Sequence, residues 1–190
     1  MSPLELAAVL LGLANVGLLV RRSIWNYPFG LAMVSLYAVI FWQARLYSEA
    51  GLQAFFFAVQ IYGWVLWSRH GGQQGPVGVG WMSGRERAVW AAVTAALSVS
   101  LGWIMYSFTD AALPFADSAI AGASIAAQFL LSFRRIENWV LWIVIDIASI
   151  GLYINRELLL TAGLYVVLLC LSVLGLREWI AAGRRDAQSA

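Results

Sequence analysis

Residues 158–177, LLLTAGLYVVLLCLSVLGLR, form an apolar run whose only charged residue is Arg177 at its end. A helix of about 20 mostly apolar residues is long enough to cross the hydrocarbon core of a bilayer. Six further runs of this kind occur, so the sequence predicts an all-α integral membrane protein with seven transmembrane helices. The predicted spans cover residues 4–20, 28–45, 50–68, 87–108, 114–133, 139–155 and 158–177.

The composition supports this class. The chain has 190 residues, of which 62% are hydrophobic and 12% are charged, and its mean hydropathy is +0.77. Soluble domains carry about 25% charged residues, roughly twice this fraction. A soluble enzyme of this length would need far more polar surface, so we expect the lipid bilayer to be the solvent of most of the chain.

Several function classes are excluded by residue types that are rare or missing. One cysteine, Cys170, and one histidine, His70, cannot build a disulfide scaffold, a Cys/His zinc site or an iron–sulfur centre. His70 lies beside a glycine-rich loop between apolar runs, which disfavours a Ser-His-Asp hydrolase. The net charge of +2, with no lysine, does not suggest nucleic-acid binding, and no Walker motif is present. We therefore predict a protein that is not an enzyme and that uses no cofactor or metal.

The distribution of arginines predicts the orientation, because cytoplasmic loops carry an excess of basic residues. With seven spans, ten arginines lie on the face that includes the C-terminus, and two, Arg45 and Arg156, lie on the other. The N-terminus is therefore predicted outside and the C-terminus in the cytoplasm. An alternative, that the Arg-Arg pairs at 21–22 and 134–135 form a lipid- or ligand-binding patch, is weaker because topology alone explains both pairs.

The chain contains an internal repeat. A shift of 112 residues aligns 7–67 with 119–179 without a gap, and 13 of the 61 positions are identical. Each repeat holds three spans, and the fourth span separates them. Because the shift covers an even number of spans, both repeats run in the same direction, as in transporters with parallel repeats and a substrate site at the repeat interface. The sequence thus predicts a 3+1+3 bundle, divided into 1–68, 69–110 and 111–190. A receptor or a membrane-bound enzyme could also have seven spans, but neither needs this duplication.

Polar residues inside the spans are the candidate binding residues, because a buried ionisable group needs a cavity or a partner. Asp146 is the only acid well inside a span, and Asn138, Trp142 and Asp146 share one helical stripe. Gln60 and Trp64 share a face of the third span. Three further candidates are Gln128, Trp139 and Tyr165. Structural roles remain open: Asp146 could bond a tyrosine or tryptophan donor, Gln60 could bond another helix, and Trp64 and Trp142 could be packing residues.

Comparison of the two halves of the repeat distinguishes residues expected to have a structural role from candidate binding residues. Positions that are identical in both halves, such as Asn26 and Asn138, are expected to serve the scaffold. Positions where one half departs towards polarity or aromaticity are better functional candidates, because one asymmetric substrate must be bound in a pseudo-symmetric bundle. The departures pair Asp146 with Val34, Trp142 with Gly30, Gln60 with Ser172, and Trp64 with Leu176.

Four motifs in this order resemble the PnuC family of vitamin transporters: RRSIWNYPFG at 21–30, QIYGWVLW at 60–67, ENWVLWIVID at 137–146 and LTAGLY at 160–165. Tyr27 stands where many members carry tryptophan. The resemblance implies uptake of nicotinamide riboside, with relatives that carry thiamine or riboflavin, and a bacterial cytoplasmic-membrane protein with a SWEET-like fold that usually assembles as a homotrimer. It implies substrate contacts from the following residues: Gln60, Trp64, Asn138, Trp139, Trp142, Asp146 and Tyr165.

The resemblance further implies facilitated diffusion by alternating access, with a soluble cytoplasmic kinase that phosphorylates the vitamin and so prevents its exit. A single carboxylate inside the predicted spans gives little support for coupling of transport to an ion gradient. Nicotinamide riboside and thiamine are both cations with flat rings, which suit an aromatic cage with one carboxylate. Riboflavin is larger and neutral, so it ranks third.

Overall fold

The computed structural model describes residues 3–43, 47–69, 78–108, 113–155 and 159–188. Within these ranges the chain is helical almost throughout, and the prediction of seven helices is confirmed. Five of them, α1, α3, α4, α5 and α7, are long and apolar enough to cross a membrane. The helices are α1 (Pro3–Val20), α2 (Asn26–Gln43), α3 (Tyr47–Arg69), α4 (Gly84–Phe108), α5 (Pro114–Ser132), α6 (Glu137–Asn155) and α7 (Leu159–Gln188).

Several helix ends differ from the predicted spans by one to three residues, and for two of the ends that differ the structure shows the reason. Helix α4 begins at Gly84 rather than 87, because Ser83 and Glu86 form a capping box: the Ser83 N–H donates to Glu86 Oε2 at 2.7 Å and the Glu86 N–H donates to Ser83 Oγ at 3.3 Å. Helix α7 continues to Gln188 rather than ending at 177. Its extra turns bury Trp179 and Ala182 in the protein core, and that burial holds the polar end of the helix in place.

Six helices form a closed ring. Helix α1 packs on α2, α2 on α3, α3 on α5, α5 on α6, α6 on α7, and α7 returns to α1. Helix α4 lies outside this ring and, within the described residues, packs against α5 alone among the helices. In this order α2 and α6 lie on opposite sides of the ring.

The turns that join α1 to α2 and α5 to α6 have the same backbone conformation. Arg22 and Arg134, which correspond in the repeat, are the described non-glycine residues with positive φ, at 56° and 61°. Each donates its amide N–H to the carbonyl three residues earlier, at 2.8 and 2.9 Å. The side chains of Asn26 and Asn138 donate in the same way, at 2.7 and 2.6 Å. These four shared residues therefore build the turn, as predicted for positions common to both halves.

A second shared feature is an aromatic cluster at the same end of the ring. Tyr27 packs edge-to-face on Trp67 with ring centroids 5.3 Å apart, and Trp139 packs in the same way on Trp179 at 5.6 Å. The Trp67 and Trp179 rings, 6.1 Å apart, join the two pairs. All four side chains are fully buried. We call Tyr27, Trp67, Trp139 and Trp179 the aromatic plug.

The segment before α4 fastens this helix to the α5–α6 turn. The Gly80 N–H donates to Arg134 O at 3.2 Å, and Gly80 O accepts from the Ile136 N–H at 3.0 Å. Two ion pairs continue the attachment, and each joins a residue of α4 to a residue at the turn: Glu86 with Arg135 at 2.7 Å and Arg87 with Glu137 at 2.8 Å.

Gly175 offers a test of the plug, because a Cβ atom there would lie 2.5 Å from the Trp139 ring. We expect Gly175→Ala to destabilise the protein by about 1–3 kcal/mol, the usual cost of overpacking. The matched control is Gly163→Ala in the same helix, where a Cβ atom meets nothing within 4 Å. Thermal unfolding in detergent measures both variants. Equal midpoints for the two would contradict the close packing of α7 on Trp139.

Candidate functional site

The helix ring encloses a cavity of about 490 Å³, lined by residues from all six ring helices and by none from α4. This volume falls within the range of small-molecule sites, about 300–1,000 Å³. Most of the lining is apolar, and a limited set of polar side chains converges on it. These polar residues are Asn15, Asn26, Tyr37, Gln53, Gln60, Ser124, Gln128, Asp146, Tyr165 and Ser172.

The α6 side of the cavity carries a carboxylate and an indole. Asp146 is 3% exposed, and its Oδ2 accepts a hydrogen bond from the Ser172 hydroxyl at 2.9 Å. Trp142 lines the cavity one helical turn away. Among the described residues, no arginine lines the cavity. A buried carboxylate that has a hydroxyl but no cation near it favours a positively charged ligand.

The opposite, α2 side of the cavity is lined by amides. Gly30, the counterpart of Trp142, is buried, and a Cβ atom there would collide with Gln60 Oε1 and lie 2.7 Å from Asn15 Nδ2. The Asn15 amide also donates to Asn26 O at 2.6 Å. The absence of a side chain at position 30 therefore makes room for two amide groups. The two halves of the ring thus present different chemistry: amides in one, an indole and a carboxylate in the other.

The structure brings most of the predicted site residues together. The cavity is lined by these six: Gln60, Gln128, Trp139, Trp142, Asp146 and Tyr165. Asn138 lies elsewhere, since it is fully buried in the α5–α6 turn with its amide bonded to Arg135 O.

Trp64 also lies outside the cavity, on the outer face of α3, and it is 37% exposed. It borders a surface depression together with Ile61 and Val65. The inner face of α3 is occupied by Gly63 and Trp67, which pack into the plug. Trp64 and Trp67 lie about 60° apart around the helix, and the packing of Gly63 and Trp67 into the plug sets the rotation at which Trp64 faces outwards.

Six polar residues of the cavity lining are not among the predicted site residues: Asn15, Asn26, Tyr37, Gln53, Ser124 and Ser172. Ser172 was noted only as the counterpart of Gln60, and Asn15 was not considered. Asn15 corresponds to Ala127 in the other half. The departure from symmetry that singled out Asp146 therefore also marks Asn15, and the same criterion could have found it.

The plug closes the cavity at the end where the two shared turns lie. Leu19, Leu131 and Trp139 line the cavity floor and belong to the same buried cluster as the other plug rings. Trp179 donates its Nε1–H to Leu19 O at 3.1 Å across the α7–α1 contact. Its counterpart Trp67 has a buried Nε1 that finds no hydrogen-bond partner in the described part of the chain. We call the α7–α1 and α3–α5 contacts the two seams of the ring, since they correspond in the repeat. Within the described residues the indole hydrogen bond closes the α7–α1 seam and has no equivalent at the α3–α5 seam.

The model of the nicotinamide mononucleotide transporter family matches residues 2–181 of this chain. The chain belongs to this family. It is a multi-pass membrane transporter and not an enzyme, and the resemblance inferred from the four motifs is confirmed. Tyr27 lies in the plug rather than among the described residues that line the cavity.

Individual relatives agree with the family match. The chain is 29% identical over 215 aligned residues to the nicotinamide riboside transporter PnuC of Escherichia coli, covering 100% of this chain and 90% of the relative. It is 27% identical to the riboflavin/roseoflavin transporter RibM of Streptomyces davaonensis, covering 97% and 87%. A crystal structure of the vitamin B3 transporter PnuC superposes with a TM-score of 0.80 at 28% identity, covering 96% of this chain and 82% of that one.

The unequal seams can be tested with two matched substitutions, Trp179→Phe and Trp67→Phe. Each removes an indole N–H and a similar volume from the plug, but only Trp179 loses a hydrogen bond in the structure. We expect Trp179→Phe to be more destabilising by about 1 kcal/mol, the net value of one hydrogen bond. Thermal unfolding of both variants provides the measurement. A larger loss for Trp67→Phe would show that the seam at α3 and α5 is the bonded one.

Proposed function

We propose that this protein carries nicotinamide riboside across the bacterial cytoplasmic membrane through the cavity inside the helix ring. The observation that carries the proposal is Asp146, a buried carboxylate whose described partner is the Ser172 hydroxyl and which has no basic residue beside it in the cavity lining. A ligand with a permanent positive charge would supply the missing cation. The Escherichia coli relative is named as a nicotinamide riboside transporter, which supports this substrate, and the superposed crystal structure is that of a vitamin B3 transporter, which supports the vitamin class.

The cavity chemistry suits the two parts of this molecule. We propose that its flat cationic ring stacks on Trp142 beside Asp146, where cation–π and ionic attraction act together. The sugar hydroxyls would then face the amides of Asn15 and Gln60 on the opposite side, and Tyr165 and Gln128 would complete the lining. Asn138 would act through the turn that begins α6 rather than by contact with the substrate.

Thiamine is the second candidate, because it is also a flat-ringed cation. Riboflavin has support from the similarity to RibM. Its ring system is neutral, however, and would leave the Asp146 charge without a cation. We therefore rank nicotinamide riboside first and riboflavin third.

For the mechanism we propose facilitated diffusion by alternating access, with the vitamin trapped by a soluble kinase. The proposed units are two parallel three-helix repeats in a 3+1+3, SWEET-like arrangement, with boundaries at 1–68, 69–110 and 111–190. The matching turns at Arg22 and Arg134 and the paired rings of the plug support this duplication. Movement between the repeats would open the plug and close the opposite end of the cavity.

We propose an external N-terminus and a cytoplasmic C-terminus, so that the plug is the cytoplasmic barrier. The arginine bias supports this orientation, although Arg45 and Arg156, the two arginines of the other face, lie outside the described residues. A homotrimer, implied by the family resemblance, is the proposed assembly.

The charge of Asp146 can be removed with little change in shape. We expect Asp146→Asn to weaken binding of nicotinamide riboside by about 1–3 kcal/mol, the scale of a charge-assisted hydrogen bond. Binding of a neutral analogue of the same shape should change little. Calorimetric titration of purified protein with both ligands gives the comparison. If Asp146→Asn binds the cation as tightly as the parent, Asp146 is structural and the cationic substrate loses its main support.

Ring stacking can be tested in the same titration with two tryptophans, Trp142 in the cavity and Trp64 on the outer face of α3. Trp142→Ala should weaken binding of both the cation and the neutral analogue, because ring contact does not depend on ligand charge. Trp64→Ala removes an indole of equal size from the outer face of α3 and should leave both affinities unchanged.

Uptake into liposomes tests the energetics. Because Asp146 is the one acid well inside the predicted spans, we expect labelled nicotinamide riboside to equilibrate across the vesicle membrane without response to an imposed proton or sodium gradient. Chemical analysis of the internal solute checks that it is unaltered. Accumulation above the external concentration, driven by either ion, would refute the uncoupled mechanism.

A further inference from the structure

A second cavity lies outside the helix ring, between α3 and α4. Within the described residues no Cα atom of α3 lies within 8 Å of a Cα atom of α4, and both helices pack on α5, so a cleft remains above the end of α5. Its volume is about 350 Å³, and it shares no lining residue with the central cavity. Leu66 of α3 and Trp90 of α4 form its walls, and Phe133 lies at its base.

The wall of the cleft towards the membrane is aromatic. Trp90 lies 6.2 Å, centroid to centroid, from both Phe129 and Phe133, and these two rings stack on each other at 6.4 Å. Phe55 of α3 continues the aromatic surface beside Phe129, also at 6.2 Å. An apolar surface of this kind, running along the helix from the cleft, fits a hydrocarbon chain better than a soluble ligand.

The other end of the cleft carries an arginine whose charge is not balanced. Glu86 is paired with Arg135, which leaves Arg134, half-buried in the lining, with no ion pair or hydrogen bond of its side chain in the described part of the chain. Burial, and secondly the neighbouring Arg135 charge, lower the pKa of the Arg134 guanidinium. A cation in this situation is stabilised by an anion.

The position of Arg134 is also fixed. Its backbone adopts a φ of 61°, and its N–H and carbonyl are both bonded, to Leu131 O and to the Gly80 N–H. Arg21 in the first turn, by contrast, is exposed. The two arginine pairs of the sequence therefore differ: among the described arginines, Arg134 and Arg135 line this cleft and Arg21 and Arg22 do not, and Arg135 is already paired with Glu86.

We propose that the α3–α4 cleft binds one anionic phospholipid, with its phosphate on Arg134 and an acyl chain against Trp90, Phe129 and Phe133. Basic pockets between transmembrane helices bind anionic headgroups in this way. The arginine bias and the lipid site are compatible, because the same residue can set the topology and hold a phosphate. The bound lipid would fill the gap that the described residues of α3 and α4 leave between the two helices.

Native mass spectrometry of the full-length protein, delipidated and then titrated with phosphatidylglycerol, tests the proposal. We expect one tightly bound lipid in the parent and in Arg21→Gln, which removes an equal charge from the corresponding turn. Arg134→Gln should bind it about fivefold more weakly, as expected for the loss of one basic contact, and Arg134→Lys should retain most of the affinity. Phosphatidylcholine, which has no net charge, should bind the parent less tightly than phosphatidylglycerol.

Trp90→Ala keeps every charge and provides a second test if Arg134→Gln does not fold. It should weaken binding of phosphatidylglycerol, whereas inorganic phosphate, added alone, should raise the unfolding temperature of neither this variant nor the parent. Three results would each overturn the proposal: equal phosphatidylglycerol affinity in Arg134→Gln and the parent, equal affinity of the parent for the two lipids, or stabilisation by inorganic phosphate as large as that by the lipid.

Discussion

The contact between Trp67 and Trp179 holds the two halves of the helix ring together. Each indole packs on an aromatic partner from its own half, Tyr27 or Trp139, and the two indoles then meet at the centre. Close approach requires glycine at positions 63 and 175, where any Cβ atom would meet the partner ring. The rotation of α3 and α7 about their axes follows from this packing, and the rotation decides which residues reach the cavity.

The helix ring is nearly symmetric in its turns and plug, but the residues that line its cavity differ between the two halves. The turns and the plug repeat closely, yet Gly30 of α2 corresponds in the repeat to Trp142 of α6, and Val34 corresponds to Asp146. Because α2 and α6 lie on opposite sides of the ring, each departure from symmetry becomes a difference between two sides of one cavity. A small molecule with a charged ring at one end and hydroxyls at the other can therefore bind in one orientation.

Helix α4 does more than connect the halves. Its N-terminus is tied to the α5–α6 turn by the ion pairs of Glu86 with Arg135 and of Arg87 with Glu137. It packs on α5 and, within the described residues, on none of α1, α2 and α3. Relative movement of the two halves would therefore carry α4 with the second half and alter the cleft between α3 and α4, which is where the unpaired Arg134 lies.

Sequence alone determined the membrane class, the seven helices and the family, because long apolar runs and motif order do not depend on how helices pack. It also predicted Asp146, Trp142 and Gln60 as site residues, and these residues line the cavity, since a polar residue in an apolar span must face a cavity or a partner. It could not fix the rotation of α3, because an almost uniformly apolar helix has no polar face to orient it. Only the tertiary structure shows that Trp64 lies on the outer face of α3, that the Asn138 amide donates within a turn and that Asp146 accepts from Ser172, because these positions depend on how the helices pack against one another.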